Sequence, residues 1–242
     1  NTPEKDRQSN LDNDLAKLQY VNGGIFSKNI GIVSCDVTTK LRLAKCCNFD
    51  WSAISAAIFG SLFQGVMNED ARRHLGAHYT SEQNILKLIR SLFLDDLYIE
   101  LDKVKYDSRL LDKFHTRLGT LKFLDPACGC GNFLVIAYRE LRTLEIEILK
   151  IKSKNGEELS EDPRRLSIDQ FYGIEIEEFP ARIAEVAMHL IDHQMNLELD
   201  KMLGKYIPEL PIKSSATIKN TDALSFDWDD LVSKKELSYI LG

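Results

Sequence analysis

The sequence predicts an open α/β fold, a parallel sheet with right-handed crossovers of which the first four strands are present, preceded by a helical segment. Three observations lead there. From residue 121 onward short apolar runs alternate with helical periodicities, the pattern that a parallel sheet produces. The first of these runs ends in an acid and closely spaced glycines, FLDPACGCGNFL at 123–134, which is how a strand that holds a ligand against its backbone turns into a helix. Ahead of residue 105 the long apolar stretches read as helices and not as strands.

Taken in order, the first ten residues are polar, a short helix is expected over Leu11 to Tyr20, and Asn22-Gly23-Gly24 forces a turn. Trp51 to Met67 (WSAISAAIFGSLFQGVM) is almost wholly apolar and long enough for a buried helix. Thr80 followed by Gln83 has the form of a capping box, and Ile85, Leu88, Ile89, Leu92 and Phe93 recur at helical spacing, so a helix is expected from about Ser81 to Leu97. Leu121 to Asp125 reads as a buried strand, followed by a helix from about Gly131 towards Lys150 and a polar connection, KSKNGEELSEDPRR. Phe171 to Ile176 is the second strand. Phe179 to Met195 is the next helix, with Pro180 in its first turn and Ile183, Val186, Ala187, Leu190 and Ile191 as its apolar face. Ala216 to Asn220 and Ser238 to Leu241 complete the set as third and fourth strands.

Bulk properties exclude several classes. The 242 residues, 44% hydrophobic and 28% charged, have the composition of an ordinary globular domain. No apolar run approaches the roughly 18 residues of a membrane span, and the first residues lack the basic-then-apolar pattern of a signal peptide. Five cysteines at Cys35, Cys46, Cys47, Cys128 and Cys130 are odd in number and spaced for neither a disulfide framework nor a zinc site, so a reducing, cytoplasmic compartment is expected. The net charge of −6 gives the whole chain no attraction for nucleic acid. Any DNA-binding surface must therefore be local or lie outside this chain. His189 and His193 are one helical turn apart but lack the intervening glutamate of a zinc-protease helix, and a solvated helix face is expected instead of a metal site.

The glycine turn is the expected ligand site. Its glycines are separated by a single residue and no lysine follows, which excludes a nucleoside-triphosphate loop. The third position of a dinucleotide fingerprint is Leu134, and Asp125 would repel a pyrophosphate. S-adenosylmethionine, with an ammonium and a sulfonium and no phosphate, suits an acid in that place. Glu175, ending the second strand, is placed to accept hydrogen bonds from two ribose hydroxyls. Ile176 beside it can pack on adenine, and Asp222 after the third strand can meet the adenine amino group. Singly each acid reads as a turn former, a cap or a loop residue; at three successive strand ends around a glycine loop they read as one acidic, partly apolar cleft.

The phrase DPACGCGNFL resembles the D-P-A-C-G-S-G-x-F-L signature of DNA adenine methyltransferases, with Cys130 in place of the serine. GIEIEEFPARIAEVAMHL is similar to the second motif of that family and NTDAL to the third. LGAHYT resembles the motif that contacts the methionine end of the cofactor and lies upstream of the glycine loop, the gamma order of amino-methyltransferases. The run from about Phe49 resembles large single-chain type II restriction–modification enzymes. The resemblance implies a bacterial protein with a Rossmann-like S-adenosylmethionine-dependent methyltransferase core. It implies cofactor contacts at Ala77, Tyr79, Thr80, Asp125, Pro126, Ala127, Cys128, Gly129, Gly131, Asn132, Phe133, Glu175, Ile176, Asp222 and Ala223. Residues 1–70 are then a helical connector and 71–242 a partial cofactor-binding domain. The family's Asn/Asp-Pro-Pro-aromatic catalytic motif would begin just after Gly242, so this chain alone is expected to be inactive. Double-stranded DNA is expected to meet regions outside it. The alternatives are a methyltransferase acting on another substrate and a connector fragment that binds no cofactor.

Overall fold

In a computed structural model, residues 35–49, 54, 58, 80–204 and 216–242 are described. The expected helices at Leu11–Tyr20 and Trp51–Met67 lie outside the described residues, apart from Ile54 and Ile58. In chain order the elements are α1 (Val37–Cys47), α2 (Glu82–Ile89), a π-helical turn (Arg90–Leu94), α3 (Asp95–Val104), α4 (Ser108–Leu118), β1 (Phe123–Asp125), α5 (Asn132–Lys154), β2 (Phe171–Glu175), α6 (Glu178–Leu203), β3 (Thr217–Asn220) and β4 (Tyr239–Ile240). The four strands form one parallel sheet in the order β3-β2-β1-β4. After β1 the chain steps outward through β2 and β3 and then returns to the far side of β1. The order therefore reverses at β1, and in open α/β sheets ligands sit beyond the strand ends at such a reversal.

The two faces of the sheet are covered unequally. Phe123 points into the main core beneath α2 to α6, whereas Leu124 points to a small cluster with Ile174 and Val232 under the 221–238 segment. Register stacks three aromatic rings across the main face. Phe123 is paired with both Phe171 and Tyr239, at ring-centroid distances of 4.9 and 5.5 Å. Phe93 leans on Phe123 at 5.3 Å and on Tyr239 at 5.0 Å.

Several local expectations are corrected. The helix expected over Ser81–Leu97 continues to Val104 through the π turn. Beside Leu94, it buries Ile85, Ile89, Phe93, Leu97 and Leu101 at a spacing of four, which advances about 40° per step past an α-helical period. The wider π turn takes back part of that rotation, which keeps Leu97 and Leu101 against the core and leaves Leu88 and Leu92 exposed. The cap is Ser81, whose hydroxyl accepts from Asn84 N–H, and not Thr80. Helix α6 buries Ala181, Ala184, Ala187, Met188 and Ile191, while Val186 faces outward. Small residues win that face because α6 lies hard against the glycine loop. Helices α1 and α4 were not expected from the sequence pattern; α4 starts at Asp107, which caps Leu110 N–H.

A buried polar network fixes the approach to β2. Glu145, fully buried on α5, accepts from Arg142 at 3.0 Å and from the Arg165 and Leu166 backbone N–H groups at 2.6 and 3.0 Å. His115 of α4 lies 3.0 Å from the same carboxylate, and Arg142 reaches Asn196 of α6 at 2.9 Å. Burial acts to raise the Glu145 pKa, but the His115 bond, the Arg142 charge and the Arg165 N–H outweigh it and hold the carboxyl below its ordinary value. The carboxylate thus joins α4 and α5 to the segment that leads into β2, and Arg142 extends the network to α6.

Candidate cofactor site

The site grows out of β1. Asp125 closes the strand at 1% exposure and its Oδ1 accepts the Ala127 N–H at 3.0 Å, which bends the chain over Pro126. Cys128 N–H then donates to the Ile174 carbonyl at 2.9 Å, stitching the loop to β2, and Gly131 N–H donates back to the Cys128 carbonyl at 2.7 Å. Gly129 and Gly131 have φ of 53° and 81°, the left-handed region where a side chain is strained. A Cβ on Gly131 would stand 3.0 Å from Ala184 Cβ, so this glycine also lets α6 come close. Nothing lies within 4 Å of the place a Gly129 Cβ would take, and the backbone there is open to a ligand. Asn132 and Phe133, both half-buried, form the first turn of α5.

Glu175 ends β2 across from the loop. Its Oε2 accepts Gly129 N–H and its Oε1 accepts Glu177 N–H, each at 2.9 Å. The next strand ends alongside: Thr221 N–H donates to the Glu175 carbonyl at 3.0 Å, and Asp222 accepts Leu224 N–H at 2.9 Å. Around these acids lie unusually bare apolar side chains, Ile176 at 61%, Phe179 at 64% and Leu224 at 96% exposure. Ala223 is half-buried behind them.

The electrostatics suit a cation. Burial, together with the nearby Glu175 charge, pushes the Asp125 carboxyl up to about 7 against the opposing Ala127 N–H. Burial and the same acid push the Cys130 thiol up to about 12, and Cys128 is likewise raised well above its ordinary value by burial, then by Asp125 and Glu175. Both shifts favour the protonated thiol, the poorer nucleophile. Cys128 and Cys130 are both buried and not joined in a disulfide.

Of the residues named from the sequence, the loop 125–133, Glu175–Ile176 and Asp222–Ala223 come together at adjacent strand ends. Thr80 is half-buried just before α2, and α2 is tied to the helix leaving the loop by a 2.7 Å ion pair between Glu82 and Arg139. Ala77 and Tyr79 lie outside the described residues. Sequence reasoning missed Gly173, where a Cβ would meet Cys128 Sγ at 2.7 Å, and Asn220, whose amide donates to the Glu175 and Ile176 carbonyls. A glycine inside a strand is a readable sign of close approach; the asparagine gave none.

A parallel sheet whose order reverses beside a glycine turn, with acids at the ends of β1 and β2 and another just past β3, defines an open α/β domain with a candidate ligand site at its strand ends. The chain belongs to the family described as MmeI, DNA-methyltransferase domain, which matches residues 101–242. It is 36% identical over 244 residues to DNA methyltransferase A of Bacillus subtilis (strain 168), covering 99% of this chain and 28% of that protein. The structure of the type IIL restriction-modification enzyme MmeI in complex with DNA superposes with a TM-score of 0.92 at 51% identity, over all of this chain and 33% of that one. The chain thus spans about a third or less of the length of these relatives.

Proposed function

We propose that this chain forms the S-adenosylmethionine-binding part of an adenine (amino) DNA methyltransferase that belongs to a bacterial restriction–modification enzyme acting in the cytoplasm. The observation that carries the reading is the group of acids at neighbouring strand ends, Asp125 closing β1, Glu175 closing β2 and Asp222 just past β3, beside the open Gly129 backbone. The donor set fits this cofactor and not a phosphate-bearing one: two neighbouring carboxylates oppose an anion and favour an ammonium or sulfonium. The relatives support the DNA substrate, since one is named a DNA methyltransferase and the other was solved with DNA.

When bound, the cofactor supplies an electrophilic methyl group on sulfur. In this reading Asp125 holds the cationic methionine end, and the open backbone at Gly129 lets it approach. Glu175 accepts from the ribose hydroxyls. Ile176, Phe179 and Leu224 offer apolar surface to the adenine ring, with Asp222 at its amino group. Base recognition and the groups that raise the nucleophilicity of the target nitrogen fall to regions outside this chain.

Calorimetric titration of the intact protein with S-adenosylhomocysteine, with NADH as control, tests the reading. Saturable binding of the first only, lost in Glu175→Ala, is expected. Preference for NADH, or binding indifferent to Glu175, would overturn it.

A further inference from the structure

We infer that Asn220, a residue outside the cleft's acids, sets the aim of Glu175 and thereby the selectivity of the site for a ribose bearing both hydroxyls. The inference rests on the cofactor reading above and adds a residue to it. Asn220 sits at the last register position of β3, directly opposite Glu175. Its side-chain amide donates twice, to the Glu175 carbonyl at 3.0 Å and to the Ile176 carbonyl at 2.8 Å. Two successive carbonyls held by one rigid amide fix the peptide planes on both sides of Ile176, where β2 stops and the chain turns into α6. Thr221 N–H adds a second bond to the Glu175 carbonyl.

The side chain of Glu175 is fixed from its other end. A carboxylate has about four acceptor positions. Two are filled by backbone, with Gly129 N–H on one oxygen and Glu177 N–H on the other. The remaining pair, one on each oxygen, matches a vicinal diol. That match depends on the 175–177 turn: if its peptide planes rotate, Glu177 N–H moves, and the carboxylate is no longer held square to the loop. Asn220 is therefore a positioning residue. It touches no ligand, and its amide binds exposed carbonyls that solvent can satisfy in its absence, so its loss costs the fold little.

The test compares two ligands on the intact protein, S-adenosylhomocysteine and its 2′,3′-dideoxy analogue, by calorimetry, in wild type, Asn220→Ala, Asn220→Asp and Asn220→Gln. Asp keeps the size and removes both donors; Gln keeps the amide on a longer arm. The expected result is a wild type that prefers the full ribose. Affinity for it falls about tenfold in the Ala and Asp variants and recovers in part with Gln, while binding of the dideoxy analogue stays the same and melting temperature barely moves. An equal loss for both ligands would make Asn220 a structural residue only, and unchanged affinity would remove its role; either overturns the inference with the cofactor reading intact. A wild type that ignores S-adenosylhomocysteine would instead sink the cofactor reading and this inference with it.

Discussion

At the scale of single residues, Asp125 sets function against stability. Its carboxyl is raised in the folded chain to about 7 from an ordinary value of 3.8, so folding favours the neutral form. The resulting stabilisation is complete below the unfolded value and is lost as pH rises through about 7, a span worth roughly 4 kcal/mol. Asp125→Asn keeps the acceptor for Ala127 N–H and removes the titration. The variant should melt higher than wild type at pH 8 without ligand, and the difference should vanish near pH 4. Calorimetric melts across that range check this, and a wild type equally stable at both ends relative to the variant would refute it. The same group predicts a pH-dependent site: affinity for S-adenosylhomocysteine, whose amino group is cationic, should rise with pH through about 7 and lose that rise in Asp125→Asn. The thiols make a second prediction. Iodoacetamide at pH 8 should label the exposed Cys46 and Cys47 well before the buried Cys128 and Cys130, as peptide mass mapping would read.

At the scale of elements, the Glu145 network decides whether β2 is delivered to its place. Removing one member of a buried ion pair typically costs about 3–5 kcal/mol, because the other charge is left uncompensated. Glu145→Gln should therefore lower stability by that amount, and Arg142→Met by a similar one, in denaturant melts. Since the Glu145 carboxyl is held below its ordinary 4.5, the stability it contributes is present above that value and is lost as pH falls below it. What was legible in the sequence follows the same scale. Strands ending in Asp125 and Glu175 announced themselves, because a buried parallel strand must be a short apolar run and its turn must be glycine-rich. The buried face of α6 did not. Hydrophobicity pointed to Val186, but the close approach at Gly131 selects by size and put Ala184 inward. The π turn was equally silent, since a spacing of four from Ile85 to Leu101 reads as a drifting helix until the rotation is accounted for. Helix α4 was lost among the charges of SRLLDKFHTRL, although Leu111, Phe114 and Leu118 keep helical spacing.

For the whole molecule, the unequal cover on the two sides of the sheet predicts unequal opening. Among the described residues, one face carries five helices and the aromatic stack; the other carries three buried side chains and the irregular 221–238 segment. Segments with little buried apolar area open by local fluctuation, and densely packed helices open only with the whole domain. Backbone amides in 221–238 should exchange far faster than those of α5, read by mass spectrometry of deuterated peptides. Saturation with S-adenosylhomocysteine should slow the 221–224 amides selectively, because Asp222 and Leu224 border the site. Equal protection of the two regions would contradict the asymmetry.

Gly173 and Cys128 share one parcel of space, the thiol resting where a methyl group on the glycine would have to go. Position 173 therefore cannot grow alone. Alanine at 173 needs 128 to have shrunk to alanine, the flexible tip of Ile218 to have moved aside, and the loop Cβ at 128, 3.2 Å away, to give by a few tenths of an ångström. The order of change is thereby set, small at the loop first and larger at the strand second, and a library that varies the two sites independently should return alanine at 173 only together with a smaller residue at 128.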